Sequence, residues 1–159
     1  MRTRRTLAAS GVGLLVAMGM AAWASPAIPD EPADPSLALM NARSAVPDHV
    51  AAMVRRACFD CHSNETRSPW YARLPLAAQL IARDVREGRA ELDWSLWESY
   101  NRFDRAELLD KACARARTGL MPPWTYRLLH SGARLSAQEV DEFCAWSRRE
   151  GARLAEGGS

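Results

Sequence analysis

Residues 47–62 read PDHVAAMVRRACFDCH, and two patterns overlap within them. Val50, Met53, Val54 and Cys58 recur at the spacing of one helix face. They follow Pro47, a good first-turn residue, and Asp48, an acid where a helix amino end favours negative charge. The helix is expected to close on Cys58-Phe59-Asp60-Cys61-His62, a C-x-x-C-H sequence. Two thiols so spaced can add to the two vinyl groups of one porphyrin, and a histidine directly after the second can present its imidazole to the iron. The stretch therefore predicts a helical domain carrying one covalent haem c, attached through Cys58 and Cys61, with His62 as the proximal iron ligand.

Downstream, the same helical period continues. Pro75 opens a pattern in which Leu76, Leu80 and Ile81 mark the expected apolar face, with Gly88 as a natural stop. Asp104 with Glu107 resembles a capping box before Leu108, Leu109 and Ala112, and Gly119 would end that helix. Ser136 with Glu139 repeats the device before Val140, Phe143 and Cys144. No long alternation of apolar and polar residues argues for a sheet, and Asn-Gly or Asp-Gly hairpin turns are missing. The fold class expected is all-α, a small cytochrome-c-like helical domain around one haem.

Upstream, Arg2, Arg4 and Arg5 precede an uncharged stretch from Leu7 to Ala24 that ends in Ala22-Trp23-Ala24, the layout of a secretory signal. A retained membrane anchor is the alternative, weakened by Gly11 and Gly13. Cleavage after Ala24 would leave 135 of the 159 residues, enough for one domain. It would also remove three arginines and turn the formal net charge from +2 to −1, so charge makes no case for a nucleic-acid partner. Residues 25–46, with Pro26, Pro29, Pro32 and Pro35, read as a flexible tether that cannot form a core. The expected organisation is a signal or anchor at 1–24, the tether at 25–46, the haem domain at 47–150 and a disordered tail at 151–159.

Other uses of the motif are weaker. A structural zinc site needs four ligands, and beyond Cys58, Cys61 and His62 the candidates Cys113 and Cys144 stand far apart. A thioredoxin-type redox pair wants a βαβ setting. A plain Cys58–Cys61 disulfide leaves His62 unexplained. Cys113 and Cys144 lie on the third and last predicted helices, where they either form a disulfide in an oxidising compartment or stay as separate buried thiols; the disulfide is the expectation.

For the sixth iron position, Met40 lies in the tether, while His49 and Met53 lie on the helix leading into the motif, from which a return to the opposite haem face is hard to arrange. Met121 follows Gly119 and precedes Pro122-Pro123, which fix an extended backbone and suit it to hold a thioether over iron. Met121 is the expected distal ligand; the plain alternative is a methionine filling a core gap. His130 is the other distal candidate, although it precedes a Ser131-Gly132 turn where it would cap or hydrogen-bond. Arg67, Arg73 and Arg89 could pair with haem propionates, solvated surface positions being the commoner case.

The chain resembles the bacterial haem-binding domain family, small exported cytochrome-c-like proteins, over roughly residues 49–149. The segments that carry the resemblance are Cys58-Phe59-Asp60-Cys61-His62-Ser63-Asn64-Glu65-Thr66, Pro69-Trp70-Tyr71, Glu87-Gly88-Arg89, and Met121-Pro122-Pro123 with Tyr126, His130, Leu135 and Ser136. Ser68 departs from the pattern where a tryptophan is expected, and Cys113 with Cys144 look like an addition. The resemblance implies a helical fold and a single covalent haem, with His62 matching the proximal histidine and Met121 at the family's Met-Pro position.

A six-coordinate haem exchanges one electron with little change of ligation, so the first functional expectation is a periplasmic electron carrier that is not an enzyme and whose partners are redox proteins. A ligand sensor or peroxidase-like enzyme would need a displaceable distal ligand and, for a peroxidase, a distal base, for which His130 is the candidate. A third expectation is a small subunit of a redox complex associated with the membrane through an uncleaved amino-terminal segment.

Overall fold

The computed structural model describes Ala38 and residues 46–157. The signal or anchor, nearly all of the tether and Met40 lie outside the described residues. Among the described residues six α-helices follow one another: α1 Asp48–Ala57, α2 Phe59–His62, α3 Pro75–Glu91, α4 Arg102–Arg117, α5 Trp124–Leu129 and α6 Ala137–Ala155. Three short 3₁₀ turns, Trp70–Arg73, Trp94–Ser99 and Ser131–Ala133, lie between them, and no strand occurs among the described residues. The all-α class is as the sequence predicts.

Helix α1 starts behind Pro47 and buries Val50, Met53, Val54 and Ala57. It breaks at Cys58, after which the motif forms its own turn, α2. Helix α4 and helix α6 pack on each other through Leu109, Cys113, Phe143 and Cys144, with Ser147 Oγ donating to the Leu109 carbonyl at 3.0 Å. Cys113 and Cys144 form a disulfide across this contact, with Cα atoms 5.1 Å apart. The fully buried Trp94 and Trp97 join the same core as α1, α4 and α6. Each such ring removes about 150–250 Å² from water, at most about 4–6 kcal/mol of hydrophobic free energy.

Four local expectations change. The cap of α4 is Asn101, whose side chain accepts from the Phe103 and Asp104 N–H groups, so that helix begins before the expected Asp104 and Glu107 pairs with Lys111 instead. Gly88 does not stop α3, which continues to Glu91. The buried side of α3 is Ala82, Val85 and Gly88, while Leu76 is 83% and Leu80 43% exposed. Small residues let α3 approach the backbone of α2, which a leucine face would hold off: a Cβ on Gly88 would stand 2.5 Å from the Cys61 carbonyl oxygen. Helix α6 runs past 150 to Ala155, because Leu154 is a buried core residue and Arg153 pairs with Glu150; the tail expected at 151–159 is therefore helical over its first five residues. Two other expectations hold, since Ser136 and Glu139 form the full capping box of α6 and Gly119 leaves α4 with φ of +69°.

Candidate functional site

Cys58 stands at the amino end of α2 and Cys61 one turn on, so the two side chains share one side of the turn. Both thiols are free and partly buried. Loss of solvent pushes Cys58 up to about 12 and Cys61 up to about 11, so both are held as neutral thiols at ordinary pH.

His62 closes the turn. Its Nδ1 lies 2.9 Å from the Leu92 carbonyl oxygen. A carbonyl only accepts, so Nδ1 carries the proton and, in the neutral ring, Nε2 carries the lone pair. Leu92 is the C-cap of α3, where carbonyls have lost their helical partners, so the end of one helix orients the histidine at the end of another. A hydrogen bond of this kind fixes tautomer and ring orientation in metal-ligating histidines.

The loop after His62 is pinned by side chains. Ser63 Oγ donates to the Phe59 carbonyl at 2.9 Å, Thr66 Oγ1 to the Asp60 carbonyl at 2.9 Å, and the Asn64 N–H to Ser95 Oγ at 2.8 Å. Arg89, on α3, donates from Nε to the Ser63 carbonyl at 3.0 Å and from Nη2 to Thr66 Oγ1 at 3.2 Å. Arg67 donates from Nε to Asp60 at 3.1 Å. Arg89 and Arg67 thus brace the motif loop, while Arg73 is exposed.

Sequence reasoning missed the hub of this region. Asp60, buried between the two cysteines, accepts at Oδ1 from the Arg67 N–H and at Oδ2 from the Tyr126 hydroxyl at 2.6 Å. Burial and the neighbouring carboxylate both push the Tyr126 phenol upward. The Tyr126 ring stacks on His130 with centroids 4.0 Å apart. His130 Nδ1 lies 3.1 Å from the Tyr126 carbonyl and its Nε2 3.4 Å from the Tyr71 hydroxyl, so both ring nitrogens are engaged. Asp60 gave no signal within its motif; Tyr71 and Tyr126 stood among the segments of the resemblance without a role, and His130 was weighed only as a distal group at the iron or as a hydrogen-bonding residue before the Ser131-Gly132 turn.

Met121 lies on the loop between α4 and α5, 40% exposed, beside a cleft lined by Pro122, Arg127, Leu135 and Val140. It is not a core filler, in contrast to Met53, which is 3% exposed. Two alternatives for the motif find no support: Cys58 and Cys61 are not joined, and no group of three metal-binding side chains forms among the described residues. The site fits a covalently held haem on its own chemistry, with two free thiols on one turn and an adjacent imidazole whose Nε2 carries the lone pair.

A family model described as a haem-binding domain matches residues 17–149, reaching further toward the amino end than the motifs themselves. No curated protein and no solved structure matches the chain.

Proposed function

We propose, from the premise that this chain belongs to the haem-binding domain family, that it is an exported mono-haem c-type cytochrome carrying single electrons between periplasmic or membrane redox partners. Cys58 and Cys61 would hold the haem through thioethers, His62 would be the proximal iron ligand and Met121 the distal one. The observation that carries this reading is the His62 hydrogen bond to Leu92, which leaves the lone pair on Nε2 of an imidazole in the thiol pair's own helical turn.

Haem supplies reversible one-electron exchange at its iron, and a methionine–histidine ligand pair raises its potential. The chain's own residues do the positioning. Leu92 holds the imidazole, Gly88 lets α3 close on the motif turn, and the Ser63–Thr66 loop, braced by Arg89, limits how that turn can move. The Met-Pro-Pro loop restricts Met121 through two residues with fixed φ. The engagement of both His130 nitrogens favours the carrier over a peroxidase-like enzyme, which would want a free distal base. Export rests on the amino-terminal pattern alone, and no helix among the described residues is long and apolar enough to cross a membrane.

The test is the absorption spectrum of protein made with a haem-attachment system, for wild type and Met121→Ala. Haem that stays with the denatured chain, and a low-spin ferric spectrum whose sulfur-to-iron band disappears in Met121→Ala, are the expected results. A high-spin wild-type spectrum, or one that Met121→Ala leaves unchanged, would remove Met121 from the iron and turn the reading to a ligand sensor or peroxidase.

A further inference from the structure

The Met121 loop has two anchored ends. On its amino side, the Leu120 and Met121 N–H groups both donate to the Arg115 carbonyl, at 3.1 and 3.2 Å, tying it to the end of α4. On its carboxyl side, Pro122 and Pro123 pass it stiffly into α5. Helix α5 is too short to position itself, and none of its residues is buried in the core. Local bonds from Arg127 to the Gly119 carbonyl and from Arg134 to the Arg127 carbonyl tie it to its sequence neighbours, and Tyr126, whose hydroxyl reaches Asp60 between the two motif cysteines, ties it to the motif turn.

We propose that Tyr126 and Asp60 are positioning residues that clamp the Met-Pro-Pro loop to the motif turn and so set the strength of the Met121–iron bond. This rests on the reading of Met121 as distal ligand. Four residues separate Met121 from Tyr126, two of them prolines and the other two already helical, so a displacement of the phenol passes to the thioether with little slack. The hydrogen bond is short and charge-assisted, the stronger class. Asp60 is well placed to serve, because its other oxygen is held by Arg67 and its backbone carbonyl by Thr66. The stacked His130 ring keeps the phenol on line.

The experiment uses the haem-loaded full chain as wild type, Tyr126→Phe, Asp60→Asn and the double variant. The ferric sulfur-to-iron band, the reduction potential and the affinity for imidazole, a ligand that competes with Met121, are measured. Tyr126→Phe keeps the stacked ring and removes only the hydroxyl. It is expected to weaken the band, lower the potential and bind imidazole about tenfold more tightly. Asp60→Asn is expected to act in the same direction, and the double variant to go no further than the stronger single. Ser136→Ala, which weakens α6 at a distance, should leave imidazole affinity unchanged. If Tyr126→Phe does not fold, Asp60→Asn is read in its place. A wild type with the band and variants identical to it in band, potential and imidazole affinity overturn the clamp alone. Additive effects in the double variant overturn the pairing, and a wild type without the band overturns the ligand assignment together with the clamp.

Discussion

Replacing Gly88 by alanine should lower stability, and the sign of the effect tests the closeness of α3 to the haem-attachment turn. In an ordinary helix interior the change gains about 1 kcal/mol, because alanine loses less backbone freedom on folding. Here the new Cβ would meet the Cys61 carbonyl oxygen at 2.5 Å, its carbonyl carbon at 3.1 Å and its Cβ at 3.2 Å. Ordinary contact begins near 3.4 Å, so one helix must retreat by about 0.9 Å, and the nearest obstacle is backbone rather than a flexible side-chain tip. Overpacking of this kind costs about 1–3 kcal/mol and can exceed that where nothing yields. Set against the propensity gain, a net loss of up to about 2 kcal/mol is expected, toward the upper end because the obstacle is backbone, or up to roughly 10 °C in Tm for a domain of this size. Because the displaced atoms belong to Cys61, the yield of attached haem should fall as well. Denaturant unfolding of the haem-loaded protein, with haem per chain measured in parallel, gives both numbers. A stability gain near 1 kcal/mol with full haem content would refute the reasoning and show that α3 stands further from the motif.

Two further outcomes are expected. Replacing Cys113 and Cys144 together by alanine opens a cross-link spanning 31 residues, worth about 3–4 kcal/mol in the chain-entropy account, and chemical denaturation should show that loss with the haem spectrum unchanged. In the chain before haem attachment, Cys58 and Cys61 titrate near 12 and 11 when folded, against 9.0 for an unperturbed thiol. Because folding raises both values, their contribution is complete below pH 9 and fades as pH rises through 11 and 12, with Tyr71 and Tyr126 shifted in the same sense. Iodoacetamide at pH 9 should therefore modify Cys61 about fiftyfold more slowly in the folded than in the unfolded chain, and equal rates would contradict the burial.

The turn that brings the motif residues together was legible because it is local. Cys58, Cys61 and His62 occupy five consecutive positions, and one helical turn suffices to bring them together. Helix starts were legible for the same reason at Pro75 and Ser136, where the signal and its partner lie within one turn. At Asp104 the local signal misled, since Asn101, three residues earlier, caps the helix by accepting from the Phe103 and Asp104 N–H groups. Gly88 misled more deeply: a glycine after a helical run is a stop by its neighbours and a contact residue by its partner, and the partner is 27 positions away in Cys61.

What the sequence by itself determined is the class of fold, the resemblance to a haem-binding family and the placing of Cys58, Cys61 and His62 on one turn, because periodicity, capping and a five-residue motif act over distances the chain covers locally. Only the tertiary structure decided which face of α3 is buried, that Leu92 orients His62, and that Asp60 holds Tyr126. Each of those depends on groups 27 or more residues apart coming into contact. Close packing of several helices at once sets such meetings, and no single segment carries that information.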